Sequence, residues 1–410
     1  MPMHEFFSDA IVVGGGPCGS FTALNLAKLG VDVNVFEEHA EIGVPCHCAG
    51  HLSIKGLKFL RLHPLPSDIV ENVFYGAIFH SPKGRSFHVR LSSPVTCAVN
   101  RVLFDKYIAK IAEKAGVHYF LNSMVESVII ENGLVKAVIV RRGKVEEKFS
   151  AKVVVDAEGN SSRILRQAGL VAFNRHMLVK AVEAEVENVQ GLETGMVEVF
   201  LGRDYAPGFY AWLMPKGDGK AKVGLAAKTG NPRELLQRLM LRHPTASKKL
   251  RGAKILQASF HSIPLGGPIP KAFSNGFLVV GDAASHVKPT TGGGVIFGMT
   301  CAKIAAEVVY EALSNNDFSS DFLCKYQSRC NKTLGSDVKF MLRIKKMLDT
   351  LPDNKVDDTI KFCAKIGLDK ALQNFEDIDF QGRSFLRMLW NPRMPIALFY
   401  FLLSCLFANR

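Results

Sequence analysis

The stretch DAIVVGGGPCGSFTALNLAKLGVDVNVFEE (9–38) decides the fold of this chain. It begins with a short apolar run that ends at Gly14, passes through Gly16 and Gly19, and continues as a helical pattern of apolar residues. A second, alternating apolar run follows and is closed by Glu37. The apolar runs predict two strands and the pattern between them predicts a helix, so the stretch is a strand–helix–strand unit.

The three glycines and the terminal acid of this unit predict a dinucleotide site. Gly14 permits the tight turn, Gly16 lets the backbone approach a pyrophosphate, and Gly19 lets helix and strand pack closely. The N-terminus of the helix faces the phosphates in such units. Glu37 stands where a carboxylate accepts hydrogen bonds from both ribose hydroxyls, and an acid there repels a 2′-phosphate. The pattern therefore predicts FAD or NAD rather than NADP.

Two distant stretches favour FAD over NAD. In GFLVVGDAASHVKPTTGGGVIFGMTCAKIAAEVV (276–309), a strand ends at Asp282, and a loop with Gly293 and Gly294 leads into a long helix. Asp282 at a strand end can hold a ribityl hydroxyl, and the glycines let the helix N-terminus point at the flavin O2 and N1, where negative charge collects on reduction. AKVVVDAEGNSSRILRQAG (151–169) predicts another strand, a turn and a helix.

These three segments, in this order and spacing, resemble the flavoprotein fold of para-hydroxybenzoate hydroxylase and its relatives, which have a GxGxxG, then a DG, then a GD motif. Glu158-Gly159 stands in place of the usual DG. Arg101, at the start of a predicted helix, falls where such proteins have an arginine near the FAD pyrophosphate, although a solvated arginine is the alternative. The resemblance implies one extended FAD, contacted by Gly14, Gly16, Cys18, Gly19, Glu37, Cys48, Ala49, Arg101, Val125, Asp282, Gly293, Gly294 and Val295.

The stretch APGFYAWLMPKGDGKAKVGLA (206–226) narrows the resemblance. Its Tyr210-x-Trp212-x-Met214-Pro215 pattern is similar to the Tyr-x-Trp-x-Phe-Pro signature of geranylgeranyl reductases, which saturate prenyl chains. Two aromatic rings and a proline at the end of a strand make a rigid apolar wall, suited to a flat or hydrocarbon substrate. The alternative is that the two rings fill the core, because alternate residues on a strand share one face.

The loop GVPCHCAGHLS (43–53) contains two cysteines one residue apart. Geranylgeranyl reductases of the archaeal type have a cysteine in a loop beside the isoalloxazine ring, and Cys48-Ala49-Gly50 gives the best register, with Cys46 the alternative. We expect Cys48 to shape the substrate side of the flavin or to donate a proton, whereas a small packed hydrophobe is the other interpretation. A structural zinc site needs four well-spaced ligands, and a Cys46–Cys48 disulfide would close a strained ring, so we expect no metal site and no disulfide here.

The resemblance implies an FAD-dependent reductase that delivers a hydride from reduced flavin to double bonds of geranylgeranyl chains. Its expected catalytic residues are Cys48, Tyr210 and Trp212, and the proton donor stays open between Cys48, His51 and water. An aromatic monooxygenase or halogenase on the same fold is the alternative, because YAWLMP partly mimics the halogenase Trp-x-Trp-x-Ile-Pro stretch. A non-enzymatic FAD-containing lipid carrier is a third hypothesis. The expected electron donor is NADPH or ferredoxin.

Composition and charge limit the partners and the compartment. The chain has 410 residues, 48% of them hydrophobic, a formal net charge of +13 and nine cysteines. The positive charge favours anionic partners, but without an arginine-rich arm or a basic stripe we expect no nucleic-acid partner. An odd number of irregularly spaced cysteines does not predict a disulfide framework, so we expect a cytoplasmic protein.

The C-terminus predicts contact with a membrane surface. Residues 395–408 are apolar or small, a run shorter than the ~20 residues that cross a bilayer. A buried terminal helix and an interfacial anchor fit the run equally, and Trp390 between Arg387 and Arg393 favours the surface. We therefore expect peripheral association with the inner face of the cell membrane, where a prenylated lipid would be the substrate.

The sequence divides into three regions. We expect an α/β, Rossmann-like FAD-binding domain of the para-hydroxybenzoate hydroxylase type, an antiparallel-sheet substrate domain and a helical C-terminal region. The expected FAD-binding domain comprises 1–60, 95–170 and 270–320, the substrate domain 61–94 and 171–269, and the helical region 321–410.

Overall fold

The computed structural model describes residues 6–217, 219–373 and 377–406 of the chain. The chain forms two compact units, each assembled from three segments. The first unit comprises Met1–Cys46, Arg101–His176 and Pro264–Ser336. The second unit comprises His47–Asn100, Met177–Ile263 and Asp337–Arg410.

Among the described residues, six α-helices lie between the strands and six more follow the last strand. The strands are β1 (Phe6–Val13), β2 (Val33–Phe36), β3 (His51–Ser53), β4 (Val70–Phe74), β5 (Gly76–His80), β6 (Ser86–Arg90), β7 (Thr96–Val99), β8 (His118–Phe120), β9 (Met124–Glu131), β10 (Leu134–Arg142), β11 (Val145–Asp156), β12 (Leu178–Glu187), β13 (Met196–Phe200), β14 (Ala211–Gly217), β15 (Lys220–Ala227), β16 (Lys254–Pro264), β17 (Phe273–Ser274) and β18 (Phe277–Val279). The helices are α1 (Pro17–Ala27), α2 (Ile54–Phe59), α3 (Arg101–Lys114), α4 (Arg163–Gln167), α5 (Pro232–Arg242), α6 (Ala246–Lys249), α7 (Val295–Asn315), α8 (Ser320–Thr350), α9 (Asp353–Lys365), α10 (Leu368–Leu372), α11 (Gln381–Met388) and α12 (Arg393–Leu406).

The first unit is built on a sheet of eight strands. Its order is β17-β18-β11-β1-β2-β8, with the β9–β10 hairpin attached to β11. The central strands β18, β11, β1, β2 and β8 run parallel, and Ile11 and Val12 of β1 are fully buried. Continuous apolar runs of this kind are typical of parallel strands covered on both faces. The predicted strand–helix–strand unit is confirmed as β1, α1 and β2.

The second unit contains a largely antiparallel sheet of seven strands, in the order β16-β12-β15-β14-β13-β5-β6. The β5–β6 pair forms a hairpin, which the short turn at Pro82-Lys83-Gly84 between two strand-like runs predicts from the sequence, and β13 runs parallel to β5. Leu213, Leu225 and other side chains of one face form a core with the leucines of α5 and with α6. Because side chains alternate along a strand, Trp212 and Met214 lie on the opposite face.

The boundary between the two units falls within the cysteine loop, between Cys46 and His47. The sequence predicts residues 47–60 as part of the FAD-binding domain, but the structure includes them in the second unit. The reason is a three-stranded sheet, β3-β7-β4, in which β3 pairs with β7. Ser53 then caps α2, because its hydroxyl accepts a hydrogen bond from the Gly56 amide. The helices α9 to α12 also belong to the second unit and pack on β6.

Candidate functional site

In the glycine-rich turn between β1 and α1, Gly14 and Gly19 have no room for a side chain, whereas Gly16 does. A methyl group at Gly14, whose φ is +96°, would approach the Ala157 carbonyl oxygen to 2.6 Å, and one at Gly19 would collide with the Gly14 carbonyl oxygen. At Gly16 such a methyl group would meet nothing within 4 Å among the described residues. Backbone packing therefore requires Gly14 and Gly19, whereas Gly16 borders open space at the start of α1.

Glu37 lies beside this turn. One oxygen of its carboxylate accepts a hydrogen bond from the Gly15 amide at 2.7 Å. The other oxygen accepts from the His39 amide at 3.0 Å and lies 2.6 Å from Nδ1 of its imidazole. The predicted acid is thus fixed next to the glycine-rich turn, as a ribose-binding carboxylate must be. Its contact with a ribose stays a prediction.

Cys18 lies where α1 meets α7. A methyl group at Gly298 of α7 would collide with the Cys18 sulfur, and one at Gly281 would approach it to 3.1 Å. Burial, followed by the nearby Asp282 carboxylate, raises the pKa of the Cys18 thiol. The thiol is therefore neutral and packs between two glycines, which is a structural role beside the cofactor contact that we predicted for it.

Asp282 and Gly294 lie together at the start of α7. A methyl group at Gly294, the N-cap residue of α7, would approach Oδ1 of Asp282 to 2.9 Å. Burial raises the pKa of Asp282, and the positive charge of Arg101 opposes that shift. Gly293 and Val295 flank this N-cap. The predicted cofactor-binding residues of the 276–309 stretch therefore lie around the N-terminus of α7.

Arg101 is buried rather than solvated. Its guanidinium forms a bidentate ion pair with Asp105 of the next helical turn, with N–O distances of 3.1 and 3.0 Å. The side chain is 9% exposed, which rules out the solvated arginine considered above. Burial raises the pKa of Asp105, and Arg101 opposes this shift. The predicted contact with a pyrophosphate is not tested by this geometry.

Glu158 stabilises the turn that follows β11. Its carboxylate accepts hydrogen bonds from the amides of Arg163 and Leu165 at 2.9 and 3.0 Å, so it caps the start of α4. The guanidinium of Arg163 in turn donates to the carbonyl of the buried Val125 at 2.5 Å. Glu158, which stands in place of the usual aspartate of this motif, is therefore a structural cap.

The first unit fits a bound FAD. The starts of α1 and α7 are glycines, and neither helix has a side-chain cap within the described part of the chain. Uncapped helix N-termini present backbone amides to phosphate or to a flavin carbonyl. Oδ2 of Asp156, at the end of β11, is buried and has no hydrogen-bond partner among the described residues. These features converge on the carboxyl ends of the parallel strands, where ligands bind in such sheets.

Tyr210 and Trp212 form an aromatic surface in the second unit. Their ring centroids are 6.0 Å apart at 67°, and Phe209 stacks on Tyr210 at 4.4 Å. The indole of Trp212 covers Gly224 of β15, where a methyl group would approach Cζ2 to 2.5 Å. Trp212 is 9% exposed, and its indole nitrogen has no hydrogen-bond partner in the described residues. Burial raises the pKa of Tyr210, so its phenol is neutral.

Lys222 is a residue that sequence reasoning missed. Its ammonium group donates to the carbonyl oxygens of Ala49 at 3.1 Å and Val99 at 3.3 Å, and it pairs with Glu71 at 2.6 Å. Ala49 follows Cys48, so this lysine holds the cysteine loop against β7. Burial raises the pKa of Glu71, but Lys222 and a second lysine, Lys216, outweigh it and hold that pKa below its usual value. The one feature of the sequence that indicates a special role for Lys222 is its position within the apolar run of β15.

The neighbours of Cys48 are also defined. Gly50 adopts a φ of +72° and its carbonyl accepts from the Val99 amide at 2.9 Å. Nε2 of His51 lies 2.7 Å from the Thr96 hydroxyl, and its ring meets Phe74 edge-on. All nine cysteines of the chain are thiols. Within 6–217, 219–373 and 377–406, no three His, Cys, Asp or Glu side chains are grouped to hold a metal ion.

The C-terminal helices leave apolar side chains exposed. α12 packs on α9, with Tyr400 stacked on Phe362 at 4.0 Å, while Phe399 on the same helix is 64% exposed. Trp390, just before it, is 93% exposed. Residues 407–410 of the predicted apolar segment lie outside the described residues. No helix in the described part of the chain is both long enough and apolar enough to cross a membrane.

Comparisons with known proteins agree with this geometry. A family model for the FAD binding domain matches residues 8–334. The chain is 33% identical over 356 residues to digeranylgeranylglycerophospholipid reductase 2 of Methanothermobacter thermautotrophicus, covering 86% of this chain and 91% of that relative. The crystal structure of a geranylgeranyl bacteriochlorophyll reductase-like protein from Thermoplasma acidophilum superposes with a TM-score of 0.85 at 26% identity, covering 97% of this chain and 100% of that one.

These matches define the class of protein. Both the fold of the first unit and its FAD cradle, formed by the starts of α1 and α7 with Glu37, are those of an FAD flavoprotein. The chain belongs to the FAD-binding-domain family and, within it, to the digeranylgeranylglycerophospholipid reductases. The flavin-dependent brominase Bmp2 is a more distant relative, with a TM-score of 0.68 at 20% identity over 90% of both chains, and this likeness shows the fold alone. The predicted family and fold class are confirmed.

Proposed function

We propose that this protein is an FAD-dependent reductase that adds hydrogen across the carbon–carbon double bonds of geranylgeranyl chains on a glycerophospholipid. The observation that supports this most strongly is the 33% identity, over 86% of the chain, to a digeranylgeranylglycerophospholipid reductase. The family model for the FAD binding domain matches residues 8–334, which include the glycine-rich turn after β1, the start of α7, and Tyr210 with Trp212. Bound FAD, once reduced, supplies the hydride.

The protein's own task is to bind the prenyl chain, orient one double bond and exclude water. Trp212 and Tyr210 suit this task because their rings are large, rigid and uncharged, and because the strand and Gly224 fix the indole. We propose that these two rings line the path of the prenyl chain. The indole N–H is buried and has no hydrogen-bond partner in the described residues.

Cys48 is our proposed residue for the substrate side of the flavin, either shaping that side or donating the proton that completes reduction. Its support is the family resemblance of the loop and the Lys222 contact that fixes Ala49 beside it. Proton transfer needs a donor within hydrogen-bond reach of the reacting carbon, so a fixed loop is required. His51 and water remain the competing donors.

The halogenase or monooxygenase alternative has weaker support. Its structural relative is 20% identical, which supports the fold and not the reaction. Among the described residues of the second unit, no specific contact favours chemistry with oxygen over reduction of an alkene. We therefore propose it only as the outcome that the activity test must exclude.

The electron donor and the association with a membrane surface are also proposals. We propose an external donor, NADPH or ferredoxin, since the net charge of +13 suits either an anionic nucleotide or an acidic protein. We also propose peripheral association with the membrane surface. The exposed Trp390 and Phe399 support this, because aromatic side chains are enriched where protein meets the lipid interface.

The activity test is direct. The yellow protein is reduced with dithionite in the absence of oxygen, mixed with a digeranylgeranyl glycerophospholipid in detergent, and the lipid is analysed by mass spectrometry. Stepwise gain of one pair of hydrogens per double bond supports the proposal, and Cys48→Ser tests the role of the thiol. An unchanged lipid, together with a long-lived peroxide when oxygen is admitted, would support the oxygenase alternative instead.

A further inference from the structure

A half-open cavity of about 460 Å³, lined by charged, polar and apolar side chains, lies in the second unit. It is formed by the start of α2, the end of α10, Asp377, α11 and the residues that follow α11. Its lining consists of Lys55, Ala371, Asp377, Ser384, Arg387, Met388, Trp390 and Asn391. This volume falls within the ~300–1,000 Å³ of ligand pockets.

The charges in the cavity favour an anion. Among the described lining residues, Lys55 and Arg387 contribute two positive charges and Asp377 contributes one negative charge. The Asp377 carboxylate already has partners within the protein: Oδ2 lies 3.1 Å from Nζ of Lys55, and Oδ1 accepts from the amides of Asp379 and Phe380 at 3.2 and 3.1 Å. Arg387 has no ion-pair partner among the residues that the structure describes. Its guanidinium, with the remaining protons of Lys55, can therefore bind an anionic ligand.

The surroundings of the cavity are apolar and exposed. Trp390 lines the cavity and is 93% exposed, and Leu386 of α11 is 63% exposed. On α12, Ile396 and Phe399 are 52 and 64% exposed and lie one turn apart. Cations beside an exposed tryptophan and a stripe of apolar side chains match the chemistry of a lipid interface, where a phosphate lies directly above acyl chains.

We propose that this cavity binds the phosphate group of a membrane glycerophospholipid. In this arrangement Lys55 and Arg387 bind the phosphate, Trp390 lies at the headgroup level, and the exposed side chains of α11 and α12 enter the acyl region. The inference deepens the membrane association proposed above and rests on it. It does not depend on the reductase activity, because lipid binding and prenyl reduction are measured separately.

The test measures binding of the full-length flavoprotein to vesicles of phosphatidylcholine with or without phosphatidic acid. The chain has two tryptophans, and only Trp390 is exposed. Its fluorescence should shift to the blue on binding, and Trp390→Phe should remove the shift. Each cation near an anionic lipid surface contributes enough to change affinity about fivefold, so Lys55→Gln with Arg387→Gln should weaken sedimentation with phosphatidic acid vesicles about 25-fold.

A second variant gives a change in the opposite direction. Asp377→Asn keeps an oxygen for the two backbone amides but removes the carboxylate that competes for Lys55, so binding should tighten several-fold. The matched control is Arg242→Gln with Lys248→Gln, which removes an exposed arginine and an exposed lysine from α5 and α6. General electrostatic attraction would weaken both double variants equally.

The outcomes separate the possible ligands. Equal loss in the two double variants, or no effect of Asp377→Asn, overturns the proposed site. Binding of inorganic phosphate that Asp377→Asn strengthens, with vesicle binding unchanged in every variant, would make the cavity a free-phosphate site and also overturn the lipid assignment. Reduction of a detergent-dispersed prenyl lipid by the Lys55→Gln/Arg387→Gln variant shows that the proposed function stands even where vesicle binding fails.

Discussion

Replacing Lys222 with methionine should loosen the cysteine loop and destabilise the second unit. Methionine keeps most of the length of the side chain but removes the ammonium group, and with it the hydrogen bonds to the Ala49 and Val99 carbonyls and the 2.6 Å contact with Glu71. Each hydrogen bond contributes ~1 kcal/mol or somewhat more because the donor is charged. The side chains of Lys222 and Glu71 are 9 and 13% exposed, so the pair is little screened by water.

The size of the loss follows from what remains around Glu71. Removing one partner of a buried ion pair costs ~3–5 kcal/mol when the other charge is left alone. Glu71 keeps Lys216 at 3.0 Å, so its charge stays compensated and the full penalty does not arise. We expect the free energy of unfolding to fall by ~3 kcal/mol, of which ~2 kcal/mol comes from the two carbonyl contacts.

The assay combines urea unfolding with alkylation of Cys48, read from its peptide by mass spectrometry. Lys216→Met is the matched control, because Lys216 pairs with Glu71 and Glu185 but makes no contact with the cysteine loop in the described structure. Lys222→Met should lower stability more than the control and should speed alkylation of Cys48, whereas the control should leave that rate unchanged. Equal stability losses with equal alkylation rates would refute the positioning role of Lys222.

Three further predictions concern packing and protonation. Gly298→Ala should destabilise the first unit by ~1–3 kcal/mol because its methyl group collides with the Cys18 sulfur, and adding Cys18→Ala should recover most of that loss in urea unfolding. Gly224→Ala places a methyl group 2.5 Å from Cζ2 of Trp212, so it should displace the indole and change the near-ultraviolet circular dichroism, and Gly230→Ala in the following turn should not alter the indole signal. Burial lowers the pKa of His243 to about 4, so the unfolded chain takes up a proton below ~6.5 before the folded one does. The free energy of unfolding should therefore fall between pH ~6.5 and ~4 by up to ~3 kcal/mol, with no further loss from this group below that range, and His243→Gln should flatten this part of the pH profile.

Local patterns were sufficient for the nucleotide-binding half of the fold. Residues 9–38 contain an apolar run, then glycines, then a helical pattern, and this order predicts a strand, a tight turn and a helix. The turn is tight because Gly14 and Gly19 admit no side chain. The turn at Pro82-Lys83-Gly84 likewise identified a hairpin, since its flanking strands alternate and its loop is short. The formation of these elements depends on residues that are close to one another in the sequence, so local patterns predict them.

The organisation of the second unit could not be predicted in the same way. Residues 47–60 lie next to the FAD motif in sequence, but the pairing of β3 with β7 over long sequence separation puts them in the second unit. Lys222 and Ala49 are 173 residues apart, and nothing local to either identifies the other. Long-range contacts of this kind depend on the sheet register, which a single sequence does not specify. The charged cavity at Lys55 and Arg387 was missed for the same reason.

The most direct test of the central claim follows the oxidation state of the flavin when the reduced protein meets its lipid. With oxygen excluded and no other acceptor present, addition of a digeranylgeranyl glycerophospholipid should restore the absorbance of oxidised flavin, with one flavin oxidised for every double bond that is saturated. The saturated phospholipid should leave the flavin reduced. If the flavin stays reduced with both lipids and reoxidises only when oxygen is admitted, the protein does not transfer hydride to a prenyl chain and the account is contradicted.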